Sequence, residues 1–573
     1  MSKIPLSVTL WFAALPFAAG AASPATDAFG VLDRNCSVCH GPRAPASAFM
    51  LLDHAALIAG GKVVPGNSAA SPLYQRIIGQ GGPRMPMGGA RLPDTDIATI
   101  RHWIDAGAPP WGTPEPIRWR FLSNDEVFAR IVANVKALGR DDRKFARYFL
   151  LTNASNAGAD EARLNLYRKG LGKLLNMLSW QKDIALPVAI DRKATIFRVD
   201  LRWLDWTQSK WRTIIEGYPY AVVPPTPDYA EIQRETGTTV PVVQAAWFAA
   251  AASLAPLYSR LLDLPTAQEQ LENCGDGVKR CLNIDSQRIL RDAAGVLVLA
   301  VGFVESGVSS NSRLVYRFET PFGGYYISRD FATNVGFQNP FLHPLDYVAS
   351  GGEALFTLPN GLLGSALFDG QGRLIKVAPT AIVSNKRPQG KPEVRNAQSC
   401  MLCHSTGLLP LRRDDMGPSL AVLPSEQRAY ARRLFAGPAQ FNEKRLEDQK
   451  HFEAALAKLG IHEDEEEPVN ALADSHNQSL DAVTAASQFG LPKDSFLRQI
   501  ATPTFKEFGL DALLEGGTVK RDAFEDVYGR AAEALGLGHY CAPTRAYGER
   551  AFLKPLASTA TEETGGCLEG RQK

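Results

Sequence analysis

The stretch Cys400-Met401-Leu402-Cys403-His404 repeats the spacing of Cys36-Ser37-Val38-Cys39-His40 near the other end of the chain. Two thiols three positions apart can add to the two vinyl groups of one haem, and the adjacent histidine then turns its imidazole onto the iron. The spacing predicts two covalently bound haem c groups. Cys36, Cys39, Cys400 and Cys403 would be the attachment thiols, and His40 and His404 the proximal metal ligands. The competing readings are a zinc site, a thioredoxin-like redox motif and an accidental match.

The surroundings of the two motifs differ. Ala28 to Leu32 leads into the first as a short helix, and a Pro/Gly/Ala-rich stretch follows it to Ala48. Ser71-Pro72-Leu73-Tyr74 predicts a helix with a serine cap and proline at its first position. Leu92-Pro93-Asp94-Thr95-Asp96 opens another, with Ile97, Ile100, Trp103 and Ile104 on one face and Gly107 at its end. Between them, Arg84-Met85-Pro86-Met87 is an extended loop from which a thioether can reach the iron face opposite His40. Either Met85 or Met87 can supply it.

Residues 28–112 resemble the planctomycete-type cytochrome c domain. Asp33-Arg34-Asn35 before Cys36, Pro65-Gly66-Asn67 before Ser71, Met85-Pro86, and Arg101-His102-Trp103-Ile104-Asp105-Ala106-Gly107-Ala108 carry the resemblance. It implies a small helical cytochrome fold with His40 proximal and a methionine distal, and Met85 aligns with the family's methionine.

Pro109 to Pro116 is a proline-rich spacer. Beyond it, Ser123-Asn124-Asp125-Glu126 has the spacing of a capping box before a helix of about fourteen residues. Asp141 to Leu151 and Ala159 to Leu178 also read as helical. Thr195 to Leu201 alternates like a strand, and Trp203, Trp206 and Trp211 after it read as core. Residues 296–378 predict an antiparallel meander, with turns at Gly323-Gly324, Asn360-Gly361 and Gly370-Gln371-Gly372. The meander runs through Val394 to Ser399 straight into Cys400. Ser425 to Phe435, Phe441 to Leu459, Leu480 to Gln488, Lys493 to Ile500 and Arg521 to Leu535 fit helical periods. Glu463 to Glu467 reads as a solvated linker, and His451, His462, His476 and His539 as surface or capping residues.

Residues 118–535 also resemble an uncharacterised domain of exported proteins found beside planctomycete-type cytochromes. Gly351-Gly352-Glu353 through Leu362, together with Ser399 to His404, carries that resemblance. It implies haem and export and gives no substrate. For the face of the second haem opposite His404 the candidates are His343, in a proline-bracketed loop, Met416, twelve residues beyond His404, or a vacant or water-bound iron.

At 573 residues the chain is too long for one core of ordinary size. The expected fold class is multidomain α+β. A signal peptide occupies 1–21, a small all-α cytochrome c domain 22–112 and a linker 113–117. A helical and mixed region (118–295), a β-rich region with the second haem motif (296–420) and a helical C-terminal region (421–573) follow. Hydrophobic residues at 45% and charged residues at 21% fit a soluble globular protein, and a net charge of +2 offers no field for nucleic acid.

Lys3, the apolar residues 4–18 and Ala19-Gly20-Ala21 read as a cleaved signal peptide, which places the mature chain in the periplasm. The longest later apolar stretch, Ala245 to Leu257, is too short for a membrane span and reads as a buried helix. Export suits disulfides, and the four remaining cysteines pair most naturally as Cys274 with Cys281 and Cys541 with Cys567.

The expected function is periplasmic electron transfer by a dihaem c-type cytochrome. The alternatives are a dihaem oxidoreductase, peroxidase- or oxygenase-like, with an open second haem, and a haem-bearing binding or redox-sensing module. Partners would be a periplasmic redox protein or a small-molecule substrate. No Gly-x-Ser-x-Gly elbow, His-Glu-x-x-His or P-loop points to hydrolase or nucleotide chemistry.

Overall fold

The computed structural model describes residues 24–40, 51–86, 91–111, 121–275, 277–278, 280–284, 298–385 and 392–553. The expected signal peptide, the linker 113–117, Met87 and Cys567 lie outside these residues, as does the side chain of Cys39. The chain divides into two units, Met1–Arg118 and Trp119–Lys573.

The first unit is helical where described. Helix α1 (Pro24–His40) carries the first motif in its last two turns. It is followed by α2 (His54–Ala59), α3 (Pro72–Ile78) and α4 (Asp94–Asp105). The period of α4 puts Ile97, Ile100, Trp103 and Ile104 on one buried face, which packs on α1. Pro72 opens α3 as expected, but Ser71 does not cap it. Its hydroxyl accepts from Val64 N–H at 2.8 Å and donates to Asn67 O at 2.8 Å, so it ties down the preceding turn instead.

The second unit is mixed α+β. Helix α5 (Asn124–Ala137) begins with the complete capping box that Ser123 and Glu126 predict. Then come β1 (Ala146–Leu150), α6 (Glu161–Met177), β2 (Val188–Ala189), β3 (Ile196–Asp200), β4 (Val242–Gln244) and α7 (Ala245–Ala252). The four strands form one sheet in the order β2-β3-β1-β4. Residues 146–150 correct the helix expected over 141–151: only Arg140–Arg143 is helical. The segment Ala-Arg-Tyr-Phe-Leu is claimed by two distant partners, β3 antiparallel and β4 parallel, whose pairing overrides local propensity. Helix α7 is buried along its whole length, as an all-apolar helix requires. Trp206 and Trp211 are core, whereas Trp203 is exposed and carries Arg198 over its ring.

The meander is a six-stranded antiparallel sheet in sequential order: β5 (Leu299–Phe303), β6 (Arg313–Thr320), β7 (Gly323–Asp330), β8 (Gly351–Thr357), β9 (Leu363–Asp369) and β10 (Leu374–Ile375). Gly323 and Gly324 belong to β7 itself. A Cβ on Gly352 would lie 2.2 Å from Ser328 O of the neighbouring strand. That close approach is why glycine precedes Glu353.

Helix α8 (Gln398–Cys403) carries the second motif, and the long α9 (Pro438–Lys458) packs on β5 and β7. A helix not foreseen in the sequence, α10 (Pro468–Asn477), packs against α6, α7 and α8. The acidic run before it is not merely a solvated linker. Glu467 is buried, caps α10 through Asn470 N–H, and meets the equally buried Lys173 at 2.9 Å. His476 is likewise interior, bonded to Glu525 of α11 (Arg521–Ala534) at 3.0 Å.

Candidate haem-binding sites

In the first unit, His40 ends α1 half-buried, and burial lowers its imidazole pKa toward the neutral form that a metal ligand needs. Its carbonyl accepts from Leu51 N–H at 2.7 Å. Cys36 packs against the unit's core. Met85 is half-buried in the loop after α3, with its N–H on Arg76 O at 2.9 Å.

In the second unit, α8 begins at Ala397, which is buried and held at φ 71°, a backbone conformation that costs a non-glycine residue about 1–3 kcal/mol. Cys400 is buried one turn later, and Cys403 and His404 follow at the helix end. The His404 Nδ1 lies 3.0 Å from Gly407 O. A carbonyl only accepts, so Nδ1 carries a proton and Nε2 is the nitrogen left for a metal.

The loop after His404 has no ladder to satisfy its backbone, and α9 supplies the partners. Asn442, Arg445 and Gln449 stand at helical spacing on one face. Leu411 N–H donates to Asn442 Oδ1 at 2.9 Å, Arg445 Nη1 to Leu408 O at 2.7 Å, and Leu408 N–H to Gln449 Oε1 at 2.8 Å. Gln449 Nε2 donates to Thr406 O at 2.7 Å. Gly407, at φ +102°, has no room for a side chain: a Cβ there would lie 2.3 Å from Gln449 Oε1.

Cys403 and His404 face a cavity of about 1040 Å³ between the sheet and this loop. That is at the upper end of the roughly 300–1,000 Å³ of small-molecule and cofactor sites. Phe303, Val315, Leu355, Phe368, Leu408 and Phe441 give it apolar walls. On the sheet side, Arg313 lies 2.9 Å from Asp330 and 3.3 Å from Glu353. Burial raises the Asp330 carboxyl pKa. Burial alone would raise that of Glu353 too, but Arg313, His404 and a hydrogen bond with Cys400 outweigh it and hold it low. Burial, with Glu353 beside it, pushes the Cys400 thiol well above the usual range. Tyr326, also in the wall, bonds Asp448 at 2.5 Å, and the buried Arg317 grips the same carboxylate at 2.8 and 3.1 Å.

His404 is the single imidazole among the described residues of this cavity, and no methionine or lysine lines it among them. His343 lies elsewhere, in the loop between β7 and β8, its ring 4.3 Å from Phe337 and its Nδ1 3.3 Å from Asp346. Met416 is fully buried under β5, its Sδ filling the space over Gly302. The wall groups Arg313, Asp330, Glu353, Tyr326 and Arg445 were not legible as site residues. The Gly351-Gly352-Glu353 triplet was the one local signal, a charged residue after two glycines in a strand.

Cys274 and Cys281 form a disulfide, with Cα atoms 5.4 Å apart, as their spacing predicts. Cys541 is disulfide-bonded as well. No helix among the described residues is long and apolar enough to cross a membrane.

Residues 36–87 match the family model described as Planctomycete cytochrome C. No curated protein and no solved structure matches the chain. The matched segment contains Cys36, Cys39, His40 and Met85, and a cytochrome c domain of this kind implies covalently bound haem c and a haem-based redox protein.

Proposed function

We propose that this is an exported dihaem c-type redox protein whose first haem handles electrons and whose second is the reactive centre, a dihaem oxidoreductase. Haem c supplies a one-electron couple and, where one face is open, a site for a small ligand. In this reading Cys36 and Cys39 hold the first haem between His40 and Met85. Two fixed ligands suit that haem to electron transfer alone.

Cys400, Cys403 and His404 hold the second haem. The observation that carries the reading is the larger cavity beside His404, whose described lining offers no second imidazole or thioether; Met177 and Met401 border only the small pocket of about 10 Å³ that His404 shares with Cys400, and His343 and Met416 lie elsewhere. Asp330, whose carboxyl pKa burial raises, is the wall's candidate to hold or deliver a proton, and Arg313 links it to Glu353. The substrate class is a small oxidant or reductant such as peroxide or oxygen, and the electron partner a periplasmic redox protein.

The test is a visible and electron-spin-resonance spectrum of the purified protein, with carbon monoxide and peroxide added in turn. One low-spin haem indifferent to both and one high-spin haem that binds carbon monoxide are expected. Two low-spin, six-coordinate haems indifferent to both would refute the oxidoreductase reading and return the protein to pure electron transfer. Fractionation of cells into periplasm and cytoplasm tests export.

A further inference from the structure

A buried charge without a counter-charge is among the most costly features a fold can carry. Arg445 is one. It is 7% exposed and lines the cavity beside His404. Its guanidinium donates from Nη1 to Leu408 O at 2.7 Å and from Nε to Asn442 Oδ1 at 3.2 Å, both neutral oxygens. A guanidinium has five N–H donors in a rigid fork, so the remaining donors are left for the cavity. The neighbouring loop adds Arg412 and Arg413 to the same wall, and Arg413 is paired with Asp415 at 3.4 Å.

The sheet side of the lining is rich in carboxylates. There one guanidinium, Arg313, serves two carboxylates, Asp330 and Glu353, and Glu353 lies against Cys400. The lining therefore holds a carboxylate-rich cluster on the sheet, with Glu353 of it against Cys400, and a guanidinium with donors to spare on α9. Haem is polarised in its substituents: the vinyl groups that react with cysteine stand at one edge and the two propionates at the other.

We propose that Arg445 is a carboxylate-binding residue that takes a propionate of the second haem, because the sheet side, whose Arg313 is already shared by Asp330 and Glu353, offers the propionate edge no free cation among its described residues. This rests on the reading of Cys400, Cys403 and His404 as a haem site and adds which way the haem faces. A planar fork matches a carboxylate bidentately, and inside the cavity the pair is screened little by salt.

The experiment compares the full-length exported protein with Arg445→Gln and Arg445→Lys, reading the covalent haem count by mass and the reduction potential of each haem against pH. Removing a cation beside a haem disfavours the reduced form. Arg445→Gln is expected to keep two haems and to shift the second haem's reduction equilibrium toward oxidised by on the order of tenfold. It should also raise the pH at which that potential begins to vary, because the propionate loses the charge that keeps it ionised. The first haem should not change. Arg445→Lys, which keeps the charge and loses the fork, should recover part of the shift, and it carries the test if the glutamine variant does not fold.

Two attached haems with an unchanged second potential and pH profile in Arg445→Gln would overturn the assignment and leave the dihaem reading standing. An unchanged potential together with loss of the wild-type spectral response to acetate would give Arg445 to a soluble carboxylate and overturn the propionate assignment. A wild-type chain with one haem would overturn the dihaem reading itself.

Discussion

Replacing Gln449 with alanine should loosen the loop that orients His404. Gln449 is buried, and its amide oxygen accepts from the buried Leu408 N–H at 2.8 Å. Its amide nitrogen donates to Thr406 O at 2.7 Å, and Thr406 is exposed. Truncation leaves the Leu408 N–H without its partner in the interior, which costs about 1–3 kcal/mol. The bond to Thr406 can be replaced by water, so its loss adds only about 0.5–1.5 kcal/mol. The sum is about 1.5–4.5 kcal/mol, or roughly 10- to 1,600-fold in the unfolding equilibrium at 1.4 kcal/mol per decade.

Between Leu408 and Thr406 stands Gly407, whose carbonyl anchors the His404 imidazole. If the dihaem proposal holds, the same substitution should therefore broaden the absorption spectrum of the haem on His404 and leave that of the haem on His40 intact. Urea unfolding followed by tryptophan fluorescence measures the stability arm, and difference spectra of the oxidised protein the other. Gln449→Glu keeps the acceptor for Leu408 but turns a second oxygen toward Thr406 O and Glu453, and should fall between wild type and alanine. A loss under about 0.5 kcal/mol with an unchanged second-haem spectrum would refute the claim that α9 holds the loop.

Further outcomes are expected elsewhere. Asp448→Ala leaves the fully buried Arg317 without its bidentate partner and should cost about 3–5 kcal/mol in urea unfolding. Adding Arg317→Met in the same chain should restore a large part, and additive losses would count against the pair. Ala397→Gly, at φ 71°, trades a strain of about 1–3 kcal/mol against a lost buried methyl and a floppier unfolded chain. It should be neutral or slightly stabilising, where Ala397→Val destabilises by more than about 2 kcal/mol; the reverse order in thermal melts would remove the strain argument.

Burial lowers the pKa of His476, and Arg521 lowers it further. The unfolded chain therefore takes up a proton near pH 6.5 that the folded chain refuses, so stability is lost as pH falls below about 6.5. The Glu525 carboxyl, held low by His476 and the nearby Arg550 and Arg521 against its own burial, adds a loss in the same direction below its ordinary range. His476→Gln should flatten the slope between pH 8 and 5.5, and an undiminished slope in unfolding titrations would place its cause elsewhere.

Chemistry that lies within a few residues was legible directly. The two Cys-x-x-Cys-His pentapeptides, the Ser123 capping box, the buried face of α4, the Cys274–Cys281 bridge and the sequential meander each depend on spacings along one segment. Their physics is local: helical period, turn geometry and short loop closure. What only the tertiary structure decided depends on partners far apart in the chain. Residues 146–150 became a strand because β3 and β4 flank them. Glu467 and His476 were drawn inside because Lys173 and Glu525 await them there.

The cavity beside His404 is the extreme case. Its walls come from β5 through β10, the loop after α8 and the face of α9, and Arg445 meets neutral oxygens there, with no acid paired to it among the described residues, because of where α9 packs. The sequence by itself determined where two thiols and an imidazole stand at the spacing that haem attachment needs. Which groups line the cavity beside His404 is set by burial and charge pairing over hundreds of residues, and those exist only once the chain has folded.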